Sequence, residues 1–205
     1  MYNSNWWKQA QITVPIGAKL ISLILYSDAT TCDVLGKTSQ HPIFLTLGNI
    51  PQKYRNKQYA KSIIGFLPIL KAKNQTEQSS NSFRITIRQT FHKCLDIILK
   101  PIYNQSYIGF NIYIGQKLEW IYIKLALILA DLPEAATYCL TSKSANAKHP
   151  CHHCIVSKQN LSNINLNEND IINRTPESMK VALYDNYEAA ELSIYCIENS
   201  LWKLK

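Results

Sequence analysis

No stretch of this 205-residue sequence stays apolar for long. The longest such runs are Leu125 to Ala130 and Ile63 to Leu70, the latter containing Gly65 and Pro68. A bilayer-spanning helix needs about 20 apolar residues, so the sequence predicts no membrane helix. The opening segment MYNSNWWKQAQITVP lacks the basic head and apolar middle of a secretory leader, and an intracellular protein is expected. Charged residues make up only 18% against 46% hydrophobic, which excludes a disordered chain and a coiled coil. There is no internal repeat. Six cysteines are too sparse for a secreted disulfide scaffold. The Asn-x-Ser/Thr sequons at Asn74, Asn104, Asn160 and Asn173 read as chance in an Asn- and Ser-rich chain.

Acid is scarce too. Asp plus Glu number 14 against 22 Lys plus Arg, a net charge of +8, which favours a polyanionic partner, nucleic acid first.

Lys19 to Tyr26, KLISLILY, is a short, nearly continuous apolar run of the kind a strand buried on both faces requires. It ends at Ser27-Asp28, so a carboxylate sits where the strand emerges. His41 to Gly48 and Lys61 to Leu70 also read as strands, with Asn49-Ile50-Pro51 as the turn and Pro68 marking an edge or bulge. Lys73 to Ser82 reads as a loop. Phe83, Ile87, Phe91, Leu95, Ile98, Leu99 and Ile102 then fall at helical spacing, and the helix is expected to stop near Lys100-Pro101. Phe110 to Ile114 and Trp120 to Ala130 read as strands, the second running straight into Asp131. A short helix over Glu134 to Leu140, an Asn-rich flexible linker, and a final helix starting at Thr175-Pro176-Glu177 complete the chain.

Strand, strand, strand, helix, strand, helix, with an acid closing the first and fourth strands, is the order an RNase H-like α/β core requires. In such a core those two strands are neighbours. Carboxylates meeting at one sheet edge would repel, and a pair of Mg²⁺ ions would relieve that repulsion.

Three stretches carry a resemblance to a known family. LILYSDATTCDVLGKTSQHPIFLTLGNIPQKYRNKQYAKSIIGFLPIL resembles the opening of the catalytic domain of Plavaka-type transposases, in the wider CACTA group. There an Asp after an apolar strand precedes a P-hydrophobic-x-L-x-x-x-N-hydrophobic-P segment and a G-aromatic-L-P strand. LALILADLPEAATYCLTSKS resembles the second catalytic block, and HPCHHCIVSK the Cys-x-x-Cys knuckle after it. The resemblance spans roughly residues 19 to 158. It implies DNA cleavage and strand transfer by a DDE/D enzyme using Mg²⁺ or Mn²⁺, with Asp28 and Asp131 as the first two acids. No counterpart of the third acid is found, so the core is expected to be incomplete at its C-terminal end and inactive alone. The expected organisation is an N-terminal extension (1–18), a partial RNase H-like core (19–158), a linker (159–174) and a helical segment (175–205). DNA is the expected partner, with no membrane, no small-molecule substrate and an oligomer allowed in the full-length form. The expected location is the nucleus, or the cytoplasm for a non-functional fragment. The alternatives are a non-catalytic DNA-binding or protein-interaction remnant of a transposable element, and a decaying, marginally folded copy.

Other residues keep more than one reading. Cys151 and Cys154 form half of a Zn²⁺ site, with His149, His152, His153, Cys139 and Cys196 as candidates to close it. Unligated thiols and redox chemistry are the alternatives. Lys53, Arg55, Lys57 and Lys61, interleaved with Tyr54 and Tyr59, suit phosphate contacts, as do Lys143, Lys148 and His149 beside the second acid. A solvated basic face is the alternative. Trp6 and Trp7 read as an anchor for an upstream domain.

Overall fold

The computed structural model of the protein describes residues 3–35, 37–142 and 146–204. The chain divides into two compact units: a sheet unit made of residues up to Ile69, Cys94–Leu129 and the tail from Leu201, and a second unit made of Leu70–Lys93 and Ala130–Ser200.

The strands are β1 (Lys19–Ser27), β2 (Thr30–Thr31), β3 (Ser39–Leu47), β4 (Lys61–Leu67), β5 (Phe110–Ile114) and β6 (Lys117–Leu129). They form one mixed sheet in the order β2-β3-β1-β6-β5, with β4 also paired to β3. β1 is antiparallel to β3, Leu23 opposite Leu47 and Ser27 opposite Ile43. It is parallel to β6, with Lys19 opposite Ile121 and Tyr26 opposite Leu129. Its central position explains its composition: Leu20, Leu23, Ile24 and Leu25 are all buried. The expected neighbours are therefore neighbours, while β5 adds an antiparallel hairpin strand on the first five residues of β6.

Asn49 extends the ladder where β3 stops. Its side-chain oxygen accepts from the Ser22 amide and its nitrogen donates to the Leu20 carbonyl, each at 2.9 Å. The Asn of the family-like segment is thus a substitute for strand pairing along β1. Gly109 turns the chain into β5 at φ +75°, where a Cβ would stand 2.8 Å from the Ile121 carbonyl oxygen; only glycine meets both demands.

The helices are α1 (Asn5–Ile12), α2 (Gln52–Arg55), α3 (Gln75–Ser79), α4 (Asn81–Tyr107), α5 (Leu132–Tyr138), α6 (Pro176–Val181) and α7 (Asn186–Glu191). Four expectations are corrected. Trp6 and Trp7 anchor α1 within this chain, packing against the cluster of Ala10, Val14, Leu20 and Tyr122. The polar stretch expected as a loop forms α3, because Asn74 caps it by accepting from the Glu77 amide at 2.8 Å. α4 continues through Pro101 to Tyr107. Pro101 and Ile97 lie on the exposed side of the helix, where water can take the freed Ile97 carbonyl, while Leu99 and Ile102 hold the next turn in the core.

The last expected helix is instead two short ones. Asp185 restarts the chain by accepting from the Tyr187 and Glu188 amides. Ser193, in the left-handed region at φ 55°, then ends α7. The Asn-rich segment of the same unit is pinned at both ends. The Ile155 amide donates to the Ile172 carbonyl at 3.0 Å and the Arg174 amide to the His153 carbonyl at 2.8 Å.

Candidate active site and thiol loop

Asp28 follows the last residue of β1 and is exposed. The Tyr26 hydroxyl donates to its Oδ2 at 3.2 Å. Behind it Ser27 is fully buried, its Oγ 3.0 Å from His41 Nε2 on β3. Asp131 stands two residues past the end of β6, also exposed, and is the N-cap of α5: its Oδ1 accepts from the Glu134 amide at 2.8 Å. Capping takes Oδ1 of Asp131 and leaves Oδ2 as the oxygen a metal could take. Asp33, a nearby carboxylate, accepts from the Lys37 amide at 2.8 Å and serves the turn between β2 and β3.

The basic residues divide by environment. Lys53, Lys57 and Lys61 are exposed, Lys53 lying 4.8 Å above the Tyr54 ring. Arg55 is instead half-buried, its Nη2 donating to the carbonyls of Gly48 (3.1 Å) and Ile50 (2.9 Å). It clamps the turn after β3. Lys148 is ion-paired with Glu191, whose hydrogen bond raises the Lys148 pKa. Lys143 lies outside the described residues.

In the second unit the thiol loop is organised by Arg174, which the sequence reading passed over. Its Nε donates to the carbonyls of Cys151 (2.9 Å) and Cys154 (3.2 Å), and its Nη2 to those of His149 (2.7 Å) and Leu192 (2.8 Å). Only its place after the Asn-rich segment and before a helix cap could have marked it. Cys154 is buried and Cys151 half-buried. Burial pushes both thiols up. For Cys151, hydrogen bonds from the His153 amide and the Cys154 thiol, with the Arg174 charge, outweigh burial and hold it below the ordinary thiol range. For Cys154, burial wins and the thiol stays protonated to higher pH. His149 Nδ1 is buried without a hydrogen-bond partner.

Among the described residues, no three His, Cys, Asp or Glu side chains converge on a point where a metal could sit. The cysteine pair offers two sulfur donors where tetrahedral Zn²⁺ needs four ligands. The strand-end acids offer two carboxylates. Neither set by itself fits its ion.

A mixed sheet in which two parallel neighbours each lead into an exposed carboxylate, beside a strongly basic overall charge, defines a mixed α/β protein suited to a polyanionic partner. The family model described as Plavaka transposase matches residues 1–203, nearly the whole sequence, and the chain belongs to that family. Membership implies DNA as its partner. No curated protein matches the chain significantly. No helix among the described residues is long and apolar enough to cross a membrane.

Proposed function

We propose that this chain is the part of a DDE/D transposase that carries the first two acids of an RNase H-like catalytic domain, Asp28 and Asp131. The observation that carries the reading is the parallel pairing of β1 with β6, Tyr26 opposite Leu129, because each strand leads within two residues into one of those acids. In the complete site they would bind Mg²⁺ or Mn²⁺ with a third acid. Cys151 and Cys154, with His149, would contribute to a Zn²⁺ knuckle once further ligands joined them. DNA is held by exposed lysines, Lys53, Lys57 and Lys61 among them, in the nucleus.

Two carboxylates hold a catalytic metal pair poorly, so residues 1–205 alone are expected not to cut DNA. The test incubates the chain with supercoiled plasmid and Mg²⁺ or Mn²⁺. No nicking is expected; metal-dependent nicking abolished by Asp28→Ala would overturn the inactivity. Weak Mn²⁺ binding, followed by electron paramagnetic resonance and lost in both Asp28→Asn and Asp131→Asn, is the expected trace of the two acids. Binding that ignores both substitutions would remove them from the site.

One observation favours a second reading. Asp131 already spends an oxygen on the α5 cap, as it would in a non-catalytic DNA-binding remnant. In that case both Asp→Asn variants bind DNA as well as the parent or slightly better, and none binds Mn²⁺.

A further inference from the structure

Within the sheet unit, one face of β1, β3 and β6 carries a cleft of about 520 Å³ that neither acid nor thiol loop accounts for. Its floor is apolar and open: Tyr26 is 43% exposed, Leu127 45% and Leu129 46%. Tyr26 and Phe44 stack there, ring centroids 6.1 Å apart and planes 30° apart. Its rim holds Arg55 and Lys61, and among the described residues no carboxylate lines it. A floor of stacked rings under an unopposed cationic rim matches a ligand that is aromatic at one end and anionic at the other.

One further observation sharpens this. Tyr26 also reaches out of the cleft, its hydroxyl on the Asp28 carboxylate. Whatever stacks on Tyr26 therefore lies beside the first acid.

We propose that this cleft binds one unpaired nucleotide of a DNA strand, its base against Tyr26 and Phe44 and its phosphate toward Arg55 and Lys61. The volume lies in the range of small-ligand pockets, and base–aromatic stacking tolerates any base. The DNA substrate would then be a junction with a displaced nucleotide rather than a continuous duplex. This rests on the DNA-binding reading above and specifies which DNA the site prefers.

The test uses the full 205-residue chain, a blunt duplex, and the same duplex with a one-nucleotide flap bearing 2-aminopurine. Anisotropy is expected to show the flapped duplex binding about tenfold tighter, the effect of one stacked base. The 2-aminopurine fluorescence should be quenched on binding. Phe44→Leu keeps an apolar floor but removes the stack; it should abolish both preference and quenching while blunt-duplex affinity stays unchanged. Lys61→Gln, on an exposed side chain that the fold does not need, should reduce the preference several-fold. If the chain binds blunt and flapped duplex equally, or Phe44→Leu keeps the quenching, the cleft assignment fails while the DNA-binding reading survives. If it binds neither duplex, both fail. A dimer in sedimentation that Phe44→Leu dissociates would show that a second copy covers this face, and would also overturn the proposal.

Discussion

Arg174 shows how one side chain can organise a segment that composition marks as a linker. Its fork spans four backbone carbonyls, so the cysteine loop from His149 to Cys154 and Leu192 at the end of α7 are both tied to the close of the Asn-rich segment. Lysine has one compact ammonium and cannot reproduce a planar fork. Arg174→Lys and Arg174→Ala should therefore both destabilise the second unit, by about 3 kcal/mol from the charged hydrogen bonds and orphaned carbonyls they lose. A shifted urea midpoint at unchanged slope would be the signature. At the same scale, the sequence puts Asp28 and Asp131 just past the ends of two apolar strands, and the structure has them there. The sequence groups Arg55 with the phosphate contacts without showing that the fold also uses its Nη2 to clamp a turn. A basic residue's partner is a tertiary fact, and nothing in the local pattern QKYRNK says that two carbonyls wait beside it.

Among elements, strands were the more legible. β1, β3, β4 and β6 announce themselves through short apolar runs bounded by turn residues, and a strand's period depends on few neighbours. Helix ends were less legible, because caps and packing compete with propensity. α4 illustrates this: Pro101 is a stop signal in sequence, yet buried residues on either side carry the helix past it. Pro101→Ala should restore the missing amide donor and stabilise the sheet unit by about 2 kcal/mol, partly offset by a freer unfolded chain. A lower or unchanged melting temperature would mean the proline relieves a strain elsewhere in the helix. Conversely, the last amphipathic stretch has an unbroken helical period but an Asp185 cap and a left-handed Ser193 in its middle, and the caps win.

Across the whole molecule, stability should depend on pH through His92. It is buried, with Nε2 3.1 Å from the Thr137 carbonyl and Nδ1 3.1 Å from Ser200 Oγ. A carbonyl only accepts, so Nε2 carries the proton and Nδ1 accepts from the serine. Burial lowers the His92 pKa, against a smaller raising effect from Thr137. The unfolded chain, with an ordinary value near 6.5, then binds the proton more readily than the folded one. The His92 contribution is complete above about pH 6.5 and is lost as pH falls toward the depressed folded value. Thermal midpoints should drop over that window in the parent and drop less in His92→Gln; parallel curves would assign the acid sensitivity to other groups.

The sequence by itself determined the class, an α/β chain with acid-tipped strands and a basic balance, because apolar period and charge are properties of residue order. Only the tertiary structure decided that β1 and β6 are parallel neighbours and that Asn49 completes β1. It also decided that Tyr26, Phe44 and Arg55 share a cleft. These are pairings between residues tens of positions apart, and long-range contacts are fixed by which faces find each other, not by any local run.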